Sequence, residues 1–67
     1  MNLAENIKKK REEYDIEQQE LAKRVGVTKS FISQMERGLK TPSVAVLASI
    51  ADALHCSTDE LIGRKVG

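Results

Sequence analysis

The residues able to do chemistry are few. The chain has one histidine, His55, and one cysteine, Cys56, and they are neighbours. Two adjacent side chains cannot wrap tetrahedrally around a metal, and no CxxC or HxxxH pair supports them, so no metal and no cofactor are expected. No nucleophile–base pair and no glycine-rich phosphate loop is present. At 67 residues nearly every apolar side chain is needed for the protein's own core, which argues against an enzyme. What remains is the chemistry of binding. Net charge is only +1, but its distribution is uneven. Lys23 to Pro42 carries Lys23, Arg24, Lys29, Arg37 and Lys40 against Glu36 alone, whereas the stretches before and after it are acidic on balance. An anionic partner is expected to dock on that middle third.

Those residues need elements to hold them. With 40% hydrophobic, 31% charged and 3% aromatic residues and a single proline, the composition is too apolar for a disordered tail. It favours helix formers over β-branched residues. Asn2 is a candidate N-cap for a first helix over residues 3–14, with Leu3, Ile7 and Tyr14 at helical spacing. Asp15 and Ile16 read as a short connection. A second helix over 18–25 places Leu21, Ala22 and Val25 on one face and stops at Gly26. Thr28 is a ready cap for a third helix over 29–37, with Ile32 and Met35 inward and Gly38 after it. A fourth helix over 43–54 takes Thr41 or Ser43 as its cap, Pro42 in its first turn, and Val44, Leu47, Ala48, Ala51 and Leu54 as its apolar face, with Ile50 beside it. Ser57-Thr58-Asp59-Glu60 has the spacing of a capping box, predicting a short fifth helix over 58–62 ended by Gly63. The tail 63–67 is expected to fray. The expectation is an all-α, compact five-helix bundle spanning residues 1–67 as one domain.

Only Gly26, Val27 and Thr28 separate the second and third helices. So short a connection cannot fold them into an antiparallel hairpin; they must cross steeply, as in a helix-turn-helix. Ala22 is small where the helices approach, and Gly26 supplies the positive φ of a sharp exit. Leu21, Val25, Val27, Ile32 and Met35 then meet in one seam. The same pattern also describes a purely structural corner between two helices.

The segments Gln18-Gln19-Glu20-Leu21-Ala22, Gly26 through Gly38, Thr41-Pro42-Ser43 and Ile50-Ala51-Asp52-Ala53-Leu54 resemble the Cro/cI-type (xenobiotic-response-element, XRE) helix-turn-helix family of the lambdoid phage repressors. The resemblance covers about residues 3–62. It implies a third helix lying in the DNA major groove, with Thr28, Lys29, Ser30, Ser33 and Gln34 at the base edges. These are also the polar residues left over once Ile32 and Met35 face the core. Gln34 can pair with adenine and Lys29 with guanine. The resemblance further implies phosphate contacts from Gln18 at the start of the second helix and from Lys40, with Arg37 a further candidate. Arg11 and Glu36 are similar to a pair that bridges helices one and three in these repressors, a structural ion pair. Phe31 either touches a thymine methyl or packs under the loop at Leu39. Cys56 reads as a small buried hydrophobe.

Three positions depart from the family pattern. Glu17 stands where Ser or Thr often caps the second helix, Lys10 where leucine is frequent, and His55 where glycine commonly ends the fourth helix, forcing a left-handed conformation. The implied function is a sequence-specific transcriptional regulator of double-stranded DNA, most simply a repressor reading an inverted-repeat operator as a homodimer. Leu61, Ile62 and Val66 are the candidate dimer contacts. The alternative is a protein-interaction module, such as an antitoxin-like subunit whose primary partner is a protein. No small-molecule ligand is expected. The longest apolar stretch, Val44 to Leu54, is broken by Ser49 and Asp52 and too short for a bilayer. With no visible signal peptide and no internal disulfide possible, the cytoplasm is the expected location.

Overall fold

Each helix starts where a short polar side chain can satisfy a backbone N–H that the helix leaves unpaired. In the computed structural model, which describes residues 2–63, Asn2 accepts from the Glu5 N–H at 2.9 Å and opens α1 (Leu3–Glu13). Thr28 accepts from the Phe31 N–H at 3.0 Å and opens α3 (Lys29–Glu36). Ser43, not Thr41, accepts from the Val46 N–H at 3.2 Å and opens α4 (Val44–Ala53). Pro42 therefore precedes the cap instead of occupying the first turn, and its ring is buried. Ser57 and Glu60 form the expected capping box at the start of α5 (Thr58–Ile62). Only α2 (Gln18–Val25) begins without a side-chain cap, because its N-cap residue is Glu17.

The turns follow from backbone conformation. Gly26 has φ 86°, and the N–H groups of Gly26 and Val27 both donate to the Ala22 carbonyl, at 2.8 and 3.0 Å. A Cβ at Gly26 would meet nothing within 4 Å, so the position needs glycine for its conformation and not for space. Among the described residues two that are not glycine also adopt positive φ, Asp15 and His55, both at 54°. His55 does so where the departure from glycine predicts it. Its ring meets Tyr14 edge-on with centroids 5.5 Å apart, and Tyr14 is 46% exposed instead of closing the apolar face of α1.

Among the described residues there are five helices and no strand. α2 packs on α3 and α4, α1 on α3 and α5, and α4 on α5. Ile7, Leu21, Ile32, Met35, Ile50, Leu54 and Leu61 form a core with essentially no exposed surface. The inward stripe of α4 is centred on Ile50 and Leu54. At 3.6 residues per turn Val44 falls at its edge and Ala48 beyond it, so both lie exposed, contrary to the expected face. Ile16, read from the sequence as mere connection, belongs to the core, and its N–H donates to the Arg11 carbonyl at 3.0 Å.

Asn6 is the one polar residue among those described that is buried as a whole, backbone and side chain together. Its Nδ2 donates to the Leu61 carbonyl at 2.8 Å, satisfying one of the carbonyls that the last turn of α5 leaves open. Lys10 pairs with Glu13 within α1 and reaches across to Glu60 on α5, both at 3.7 Å. Asn6→Ala should leave that carbonyl buried without a partner and cost about 1–3 kcal/mol. The urea midpoint of the variant, with unchanged helix content in the remaining folded fraction, checks this.

Candidate functional site

Within the middle third of the chain, α3 turns its polar residues, Glu36 apart, to one face. Along α3 the sequence alternates between inward Ile32 and Met35 and an outward row of Lys29, Ser30, Ser33, Gln34 and, just past the helix, Arg37. Thr28, Lys29, Ser30 and Arg37 are exposed, and Ser33 and Gln34 lie half-exposed where the row meets the body of the domain. Eight residues make a helix about 12 Å long, against a B-DNA major groove about 12 Å wide. The Thr28 Oγ is occupied as acceptor by the cap, which leaves its hydroxyl hydrogen available to an outside acceptor. Phe31 packs against the core, while Leu39 stays 64% exposed, so the aromatic ring belongs to the body of the domain and not to the outward row.

Behind that face lies a hydrogen-bonded network. Arg11 grips Glu36 with a fork: Nε donates to Oε2 at 2.7 Å and Nη2 to Oε1 at 3.0 Å. The pair is sheltered, with side-chain exposures of 11% and 3%. The hydrogen bond to Glu36 raises the pKa of the guanidinium still further, so its charge is fixed throughout the usable pH range. Arg11 Nη1 also donates to the Ile16 carbonyl at 2.8 Å, and Gln18 Nε2 donates to Glu36 Oε1 at 3.0 Å. The last two contacts are not legible in the sequence. The fork and the Gln18 bond together tie the end of α1, the start of α2 and the end of α3 to one carboxylate.

Lys40 and Arg37 flank the outward row, both exposed. Among the described residues neither they nor Lys29 pair with a carboxylate, whereas Arg24 is held by Glu20 at 3.0 Å. A cleft of about 410 Å³ beside them is lined by Leu3, Glu5, Arg37, Lys40 and Thr41, among others. The dimer candidates divide. Leu61 has no exposed surface and is corrected from a contact residue to a core residue, since α5 packs this side chain into the core against α1 and α4. Ile62 is 40% exposed, and Val66 lies outside the described residues. Cys56 is half-buried against the core, and burial pushes its thiol pKa up. Among the described residues no group of acidic, histidine and cysteine side chains is placed to hold a metal. Among them, too, no helix is long and apolar enough to cross a membrane.

Residues 7–61 match the Helix-turn-helix family model. Over 58 residues, 87% of its length, the chain is 43% identical to an uncharacterized HTH-type transcriptional regulator of Mycobacterium tuberculosis, of which it spans 41%. It is 36% identical over 64 residues to the HTH-type transcriptional regulator SinR of Bacillus subtilis, covering 94% of this chain and 58% of SinR. The chain thus spans less than two thirds of either relative. Among solved structures it is similar to the P22 c2 repressor in complex with synthetic operator 9T, at 35% identity and a TM-score of 0.91, over 97% of this chain and 98% of that one. SinR in complex with DNA is similar at 35% identity and a TM-score of 0.83, over 88% and 95% of the two chains.

Proposed function

The chain belongs to the helix-turn-helix family, and from that premise we propose that it is a sequence-specific transcriptional regulator of double-stranded DNA, acting as a repressor. The observation that carries the reading is the likeness, over nearly the whole of both chains, to a repressor held on its operator, combined with a basic and polar row along α3 that has no ion-pair partner among the described residues. In this reading α3 enters the major groove. Thr28, Lys29, Ser30, Ser33 and Gln34 face base edges, and Gln18, Arg37 and Lys40 hold phosphates on either side. The Arg11–Glu36 pair keeps α3 at a fixed angle to α1. In this reading binding needs no cofactor, no small-molecule ligand and no catalysis, and its place is the cytoplasm.

One such domain gathers few phosphates, so useful affinity calls for two copies on one site. A two-fold dimer reads an inverted repeat with half-sites about one helical turn, roughly 34 Å, apart. Ile62 is the exposed apolar side chain on α5 from which such a contact can be built.

Phosphate binding has a direct signature in salt dependence. Each phosphate neutralised by a cation contributes about −0.9 to the slope of log affinity against log salt. Lys40→Ala should therefore weaken binding to every duplex alike and flatten the slope by roughly that amount for each phosphate it no longer neutralises. Arg24→Ala, already paired with Glu20, should change the slope far less. Titrations of a labelled duplex across a salt series measure both. Equal slopes for the parent and Lys40→Ala would place the phosphate path elsewhere.

A further inference from the structure

Gln18 and Glu36 belong to different helices and to different parts of the reading above, one a phosphate contact and the other half of an ion pair. The structure joins them: Glu36 Oε1 accepts from Gln18 Nε2 at 3.0 Å while accepting from Arg11 Nη2 at the same distance. We propose that Glu36 is a positioning residue for Gln18, holding its amide in the orientation that presents a donor to the DNA backbone. The inference rests on the DNA-binding reading and deepens it.

A glutamine at the start of a helix ordinarily samples many rotamers and gives up that freedom when it binds. Here the side chain is half-buried and already committed. A carboxylate accepts and never donates, so the amide must turn its nitrogen toward Glu36, which settles which way the group faces. One Nε2–H is then spent, and the second Nε2–H and the carbonyl oxygen remain. The remaining N–H belongs to the first residue of α2, a helix whose first-turn N–H groups no side chain caps and whose dipole favours an anion. Glu36 can do this because it is itself rigid. Its carboxylate is only 3% exposed and is clamped by two Arg11 bonds, 2.7 and 3.0 Å long. Since Glu36 is the last residue of α3, the backbone anchor on α2 is registered directly to the helix that faces the bases. The Gly26 turn is not the only link between them.

The test has one arm without DNA and one with it. In the uncomplexed protein, side-chain ¹⁵N relaxation should show the Gln18 amide ordered and that of exposed Gln19 mobile. In Arg11→Met/Glu36→Met, which removes one charge of each sign and replaces the buried pair with apolar side chains, the Gln18 amide should become as mobile as Gln19. With that variant confirmed folded by its melting curve, affinity for a mixed-sequence DNA duplex should fall about three- to tenfold. The salt slope should stay unchanged, and adding Gln18→Ala should cause no further loss. The proposal is overturned if Gln18 and Gln19 are equally mobile in the parent, a result that needs no variant to fold. It is also overturned if the methionine pair binds like the parent while Gln18→Ala alone weakens binding. An ordered Gln18 in a parent that binds no duplex would overturn the DNA-binding reading itself, and with it the use assigned to the ordered amide.

Discussion

Arg11→Met alone is expected to unfold much of the protein at 25 °C. The substitution leaves the Glu36 carboxylate, 3% exposed, without its cation and strips a donor from the Ile16 carbonyl. Breaking a buried pair from one side costs about 3–5 kcal/mol, and a core of this size supplies about as much in total. Adding Glu36→Met to the same chain should restore most of the loss, because the penalty lies in the stranded charge and not in the absence of a bridge. Urea titrations followed by far-UV circular dichroism compare the three chains. If Arg11→Met unfolds at the parent's urea concentration, the pair is not what holds α1 to α3.

Gln34→Ala should act on specificity and spare the fold. Its side chain is half-exposed and makes no hydrogen bond among the described residues, while its backbone carbonyl, which accepts from the Leu39 N–H at 2.8 Å, survives the substitution. A bidentate pair with adenine is worth about 1–3 kcal/mol of discrimination, roughly five- to 150-fold. A dimer should lose that preference at one position in each half-site and keep it elsewhere. Sites selected with the variant, aligned with those selected with the parent, show whether one symmetric pair of positions has relaxed. A uniform loss across all sequences would make Gln34 a backbone contact like Lys40.

The parts of this fold that were legible in the sequence are those set by local chemistry. Asn2, Thr28 and the Ser57–Glu60 box cap their helices because a short polar side chain sits three residues before an open N–H. Gly26 turns left-handed because the next helix begins three residues later. What stayed hidden depends on partners far along the chain. Asn6 meets Leu61 across 55 positions, so a single asparagine on α1 gives no sign of being buried. Leu61 and Ile62 are equivalent to any periodicity argument in a five-residue helix; that Leu61 faces inward is decided by the packing of α5 on α1 and α4. Ile16 stands outside the helical repeat and so escapes a reading built on it. On the candidate site, the outward row of α3 followed from subtracting Ile32 and Met35. The bond between Gln18 and Glu36 could not be foreseen, because the crossing angle of α2 and α3 sets it.

The most direct measurement is selection of bound sites from a random pool of duplex DNA by the purified chain at near-physiological salt. Recovery of a two-fold symmetric motif, with half-sites about one helical turn apart, is the result predicted for a dimeric operator-binding repressor that reads DNA through α3. Recovery of nothing above the unselected pool would contradict that account and direct attention to a protein partner.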